Sequence, residues 1–114
     1  SKDKYGRDRD QWPIFRTEGA DNLMIHIRNH IEYVKKAGLP VVLCFYFHPW
    51  EFVEMPTGPI RYNPEGSVLV DEYLTKNCGD YALMQLERII DSLKSIGAIF
   101  MKAKEIAEMW DIIK

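Results

Sequence analysis

Val41-Val42-Leu43-Cys44-Phe45-Tyr46-Phe47, followed at once by His48-Pro49-Trp50-Glu51-Phe52, is the stretch on which the fold turns. The first seven residues show no polar alternation. They read as a strand buried on both faces, the kind that a parallel sheet contains. His48-Pro49 ends it, because proline pushes the preceding residue out of helical space. The run is far shorter than the roughly 20 apolar residues that cross a bilayer. No membrane span is expected.

Upstream, residues 21–37 carry Leu23, Ile27, Ile31 and Val34 at helical spacing, one stripe of an amphipathic helix. Asp21 can cap its start, and Lys35, Lys36 and Gly38-Leu39-Pro40 form its stop. Downstream, residues 48–66 read as a long loop with four prolines, Pro49, Pro56, Pro59 and Pro64, a length that compact domains often give to function. One or two helical turns are expected over Val68 to Thr75. A second helix is expected from about Gly79 to Ile96, with Ala82, Leu86, Ile89, Leu93 and Ile96 inward and Asn77 or Asp80 as cap. Ala98-Ile99-Phe100-Met101 reads as a short strand, and residues 103–113 as a last helix with Ile106, Met109, Trp110 and Ile113 facing inward.

The order helix, strand, loop, helix, strand, helix predicts an α/β fold with parallel strands. Residues 1–18 are then a partly flexible extension carrying Trp12-Pro13-Ile14-Phe15, and residues 19–114 a single domain. Two strands are too few, since one neighbour cannot cover both edges of Val41–Phe47. That shortage points to a fragment, a permanent oligomer or a domain swap, with self-association through the exposed strand edges.

A chain of 114 residues allows one domain. Its 15 basic and 17 acidic residues leave no electrostatic footprint for nucleic acid and no polybasic membrane anchor. The charged first ten residues have no apolar core after them, so no signal peptide is expected. The two cysteines lack a CxxC partner and read as reduced thiols, Cys44 buried as a small hydrophobe.

His48 stands at the C-terminal end of the apolar run, where α/β proteins place ligands and catalytic groups. Histidine suits proton transfer near neutral pH. Glu51 is close enough in sequence to orient it, and Trp50 can stack on a sugar face. His26 and His30 have i, i+4 spacing that could serve a metal, but they directly precede the apolar run and are not assigned as ligands. Lys102, Lys104, Glu105 and Glu108 read as a solvated helix face.

The stretch Tyr46-Phe47-His48-Pro49-Trp50-Glu51-Phe52 with Pro56 resembles the HPWE segment of the polysaccharide deacetylases, the NodB-like carbohydrate esterases. Leu74-Thr75-Lys76-Asn77, Gly79-Asp80 and Gly97-Ala98-Ile99-Phe100 before a helix with Glu105 extend the likeness over roughly residues 21–110. The resemblance implies a partial (β/α) barrel fragment from the family's C-terminal half. It also implies the family chemistry: a divalent metal, usually zinc, held by one Asp and two His, a metal-bound water attacking an N-acetyl carbonyl, an Asp base, and a late histidine protonating the departing amine. His48 matches that late histidine, with Trp50 and Glu51 as supporting or substrate-binding residues.

The family's Asp-Asp segment and its HxxxH pair before an RxPY turn have no counterpart here. The chain is therefore expected to hold no metal of its own and to be inactive alone. Carbohydrate is the expected substrate class of the full protein. The rival expectation is a non-catalytic α/β binding module that uses the 48–66 loop, with Trp50, Phe52 and Tyr62.

Overall fold

The computed structural model describes residues 14–55, 59–63, 66–69 and 75–113, with 59–63 and 66–69 described through the backbone alone. Residues 1–13 of the extension expected over 1–18, and residues 70–74 of the helical turns expected over Val68 to Thr75, lie outside the described residues.

Among the described residues the helices are α1 (Ile14–Thr17), α2 (Ala20–Lys36), α3 (Asp80–Ser95) and α4 (Ala103–Ile113), and Thr75 is also helical. A 3₁₀ turn covers Pro49–Phe52. The strands β1 (Pro59–Asn63) and β2 (Gly66–Leu69) pair antiparallel, Ile60 opposite Val68 and Arg61 opposite Ser67, with an irregularity between Arg61 and Asn63. Val68 and Leu69 are thus in a strand and not in a helical turn, and the 48–66 segment contains both the 3₁₀ turn and β1.

The expected α/β class, with parallel strands from a (β/α) barrel, is overturned. The regular structure among the described residues is helical apart from one short antiparallel hairpin. Neither Val41–Phe47 nor Ala98–Met101 is a strand. A parallel strand needs ladder bonds from neighbours, and none is available among the described residues, so the helices pack on one another instead. From residue 42 to residue 47, exposed positions alternate with half-buried ones, the period of an extended chain. Leu43, Phe45 and Phe47 lie against the helical core, whereas Val42, Cys44 and Tyr46 face outward. Cys44 is therefore exposed, contrary to its expected place in the core.

The core is built where α1, α2 and α3 meet, from Ile14, Phe15, Ala20, Leu23, Met24, Ile27, Ala82, Ile89 and Leu93. Leu23 and Ile27 of the first predicted stripe and Ala82, Ile89 and Leu93 of the second are here, whereas Ile96, expected inward, is exposed. Ile14–Thr17 belongs to this core, so the packed unit begins ahead of residue 19. Both long helices stop in Schellman geometry: Leu39 N–H donates to Val34 O at 3.1 Å, and Ala98 N–H donates to Leu93 O at 3.0 Å.

The expected caps at the helix starts are replaced. Gly19 and Gly79 hold the N-cap positions without side-chain caps, and the Ala20 N–H is met from α3 by Gln85 Oε1 at 2.8 Å. Gln85 is buried, with its carbonyl turned to that task. In α4 the apolar stripe is present, but no residue of this helix is buried, and Trp110 is 44% exposed. Ile99 before it is 83% exposed. The expected inward face of Ile106, Met109, Trp110 and Ile113 is thus at most half-buried. Lys102, Lys104, Glu105 and Glu108 are exposed, as expected for a solvated face.

Candidate functional site

The site starts from a local rule. Pro49 sits at the first position of the 3₁₀ turn, where a missing N–H costs nothing. His48 precedes it with an extended backbone, φ −106° and ψ 139°. The turn closes reciprocally: Glu51 N–H donates to His48 O at 3.0 Å, and His48 N–H donates to Glu51 Oε2 at 2.7 Å. This folds the Glu51 side chain back under His48, so the same oxygen lies 3.3 Å from Nδ1 of the imidazole.

Glu51 is fully buried, and so is its counter-charge. Arg16 Nε donates to Glu51 Oε1 at 2.7 Å, and both side chains are 0% exposed. Arg16 Nη1 donates to the Lys76 carbonyl at 2.5 Å, and Asn77 Nδ2 donates to the Arg16 carbonyl at 2.8 Å. Asn77 adopts φ 59°, a left-handed conformation that asparagine tolerates better than most residues. Gly79 N–H donates to Glu51 O at 2.8 Å, tying the start of α3 to the turn. Its φ is +100°, and a Cβ there would lie 3.3 Å from the Glu54 backbone nitrogen. Only glycine fits that approach without moving the segment behind Glu51.

Aromatic rings surround these polar groups. The Arg16 guanidinium carbon is 5.8 Å from the ring centres of both Phe15 and Trp50, within cation–π range. Trp50 stacks on His48 with centroids 5.3 Å apart, and Tyr46 meets His48 edge-on at 5.7 Å. The His48 side chain remains 40% exposed. An exposed imidazole is thus held by a buried carboxylate that is itself held by a buried guanidinium. Such an arrangement can present Nε2 to a substrate while Nδ1 faces the carboxylate, the geometry of a general acid or base.

The 3₁₀ turn brings His48, Trp50 and Glu51 together. Phe52 is half-buried and packs on Phe15 and Phe47 at 6.3 and 6.1 Å between centroids. The Tyr62 side chain lies outside the described ones. Sequence reasoning missed Arg16, whose one signal was a charged residue directly after Ile14-Phe15. His26 and His30 are both exposed, and His26 approaches only Glu18, at 3.9 Å. Among the described residues, no three of His, Cys, Asp and Glu converge on a point that could hold a metal ion. The metal that the resemblance implies is not fitted by the described residues.

Cys78 is the remaining reactive side chain close by. Burial pushes its thiol above the ordinary range, Arg16 pulls it part of the way back, and Glu51 adds to the rise. A raised value leaves less thiolate at any pH below it, and the thiolate is the nucleophile. Iodoacetamide at pH 7.5 to 8 (about one unit below an ordinary thiol) is expected to modify exposed Cys44 well before Cys78. Labelling of Cys78 should then climb as pH rises further. Peptide mass spectrometry showing equal rates at both positions would contradict this.

The chain matches no known protein family, no curated protein and no solved structure.

Proposed function

We propose that the segment Tyr46–Phe52 is the proton-donating part of a carbohydrate N-deacetylase, with His48 as general acid, and that this chain is a C-terminal portion of such an enzyme. One observation carries the reading: a half-exposed imidazole with a fully buried carboxylate 3.3 Å from its Nδ1. In amide hydrolysis, water adds to the acetyl carbonyl carbon, the C–N bond breaks, and acetate leaves. The amine nitrogen takes a proton as it departs. His48 supplies that proton from Nε2 in its doubly protonated form and is left as the neutral ring with Nδ1–H facing Glu51 Oε2. The resemblance of the Tyr46–Phe52 stretch to the HPWE segment supports the substrate class, and the exposed Tyr46 and half-buried Trp50 offer ring faces of the kind sugars stack on.

No described residue is assigned to activating the attacking water. The chain alone is therefore expected to release no acetate from N-acetylated chito-oligosaccharides above a blank, with or without added zinc. In the complete enzyme, His48→Ala is expected to lower kcat by roughly 10²–10⁴ while leaving KM nearly unchanged. Stability should move by less than about 1 kcal/mol, because the ring is partly exposed and leaves no cavity. Unchanged turnover in that variant, or its failure to fold, would make His48 a structural residue.

The aromatic set Tyr46, His48 and Trp50 favours one alternative, a sugar-binding surface without hydrolysis. In that case Trp50→Ala abolishes oligosaccharide binding to a protein that never releases acetate.

A further inference from the structure

We infer that Arg16 is a positioning residue for His48: by engaging Oε1 of Glu51 it fixes Oε2 as the acceptor for Nδ1–H, and so makes Nε2 the nitrogen that gains and loses the proton. The inference rests on the reading of His48 as a proton donor. Its test is made on the imidazole itself and needs no turnover.

Three observations carry it. First, Glu51 divides its oxygens. Oε1 takes the Arg16 Nε–H at 2.7 Å, and Oε2 takes the His48 backbone N–H at 2.7 Å and faces Nδ1 at 3.3 Å. An ionised carboxylate only accepts hydrogen bonds, so a hydrogen bond at that contact requires the proton on Nδ1. Second, both charged side chains of the pair are 0% exposed. A carboxylate so placed without its guanidinium would lose its compensating charge and take up a proton or turn away. Either outcome removes the anionic acceptor from His48. Third, Arg16 is itself fixed from outside the turn, by the Lys76 carbonyl and by Asn77, which bonds the Arg16 backbone. The guanidinium is anchored before it reaches Glu51. Lysine, a point charge without the planar fork, reproduces the charge but not that two-way grip.

The experiment is ¹⁵N long-range correlation spectroscopy of the histidine rings in the labelled chain, which distinguishes the two neutral tautomers of His48. The expected result is the Nδ1–H form in the unmodified chain. Hydrogen bonds to a charged group are worth about 1.5–3 kcal/mol, so losing the anion should change the tautomer ratio by roughly tenfold or more. That drop is expected in Glu51→Gln and in Arg16→Met, with partial recovery in Arg16→Lys. Arg16→Gln, which keeps a donor for the Lys76 carbonyl, replaces Arg16→Met if the latter does not fold. An Nε2–H form in the unmodified chain overturns the proposal, as does an unchanged ratio once the Arg16 charge is removed. Absence of deacetylase activity in the complete enzyme would overturn the functional reading and leave this result standing.

Discussion

Replacing Arg16 by alanine is expected to destabilise the folded chain by about 3–5 kcal/mol, the usual consequence of stripping one partner from a buried ion pair. Total stabilities of single domains are about 5–15 kcal/mol, so the variant should lose a large share of its folded margin. The cause is the charge left behind more than the bond removed. Glu51 would remain 0% exposed without the guanidinium that faces it, and the Lys76 carbonyl would lose its donor, whereas the Asn77 bond to the backbone carbonyl at position 16 would survive. The control is a double substitution, Arg16→Met with Glu51→Leu. It removes both charges, and apolar pairs of similar volume are often neutral or better in such places. Urea unfolding followed by circular dichroism should therefore show a lowered midpoint for the single variant and substantial recovery for the double one. A single variant within about 1 kcal/mol of the parent, typical of exposed pairs, would mean that the interior tolerates the carboxylate unaided.

Phe15→Ala should have a comparable effect for a different reason. Its ring is 0% exposed and stands at the junction of the apolar core and the polar site. Phe47 meets it edge-on with centroids 5.1 Å apart, Phe52 lies at 6.3 Å, and the Arg16 guanidinium carbon at 5.8 Å. Truncating a buried phenylalanine costs about 3–5 kcal/mol through lost transfer energy and the cavity left behind. Phe47→Ala should cost less, because Phe47 is only half-buried and its outer side already meets solvent. Denaturation midpoints for the two variants give the comparison. If Phe47→Ala proves the more damaging, the aromatic cluster is organised around the apolar run and not around α1.

The sequence makes local order legible. The four-, four- and three-residue spacing of Leu23, Ile27, Ile31 and Val34 specifies α2, and the similar stripe of Ala82, Ile89 and Leu93 specifies α3. His48, Trp50 and Glu51 fall within four residues, so a single turn suffices to assemble them. The partners that complete the site are distant. Arg16 reaches Glu51 across 35 residues, and Gln85 reaches Ala20 across 65, so no window read along the chain contains both members. The error over Val41–Phe47 has another origin. Burial alternates there with period two, but the outward-facing Val42, Cys44 and Tyr46 are as apolar as the inward-facing set. Hydrophobicity alone then cannot distinguish a segment covered on one side from a strand covered on both. The same holds for α4, whose stripe predicts a buried face that nothing among the described elements covers.

The three hydrogen bonds that fasten Arg16 span 35, 60 and 61 residues along the chain, which fixes when the site can exist. Closing loops of that size is entropically costly, and the reward comes only once the chain ends have met. Helices α2 and α3 can form their own turns without it. The Arg16–Glu51 pair is therefore expected to form after the rate-limiting barrier, and interactions absent from the barrier act on unfolding. Arg16→Ala should accordingly speed unfolding in stopped-flow measurements and leave the refolding rate nearly unchanged; a refolding rate slowed in proportion to the lost stability would place the pair in the nucleus instead. The imidazole acquires its buried support only in the fully closed chain, so any partial opening that releases α1 disarms it first.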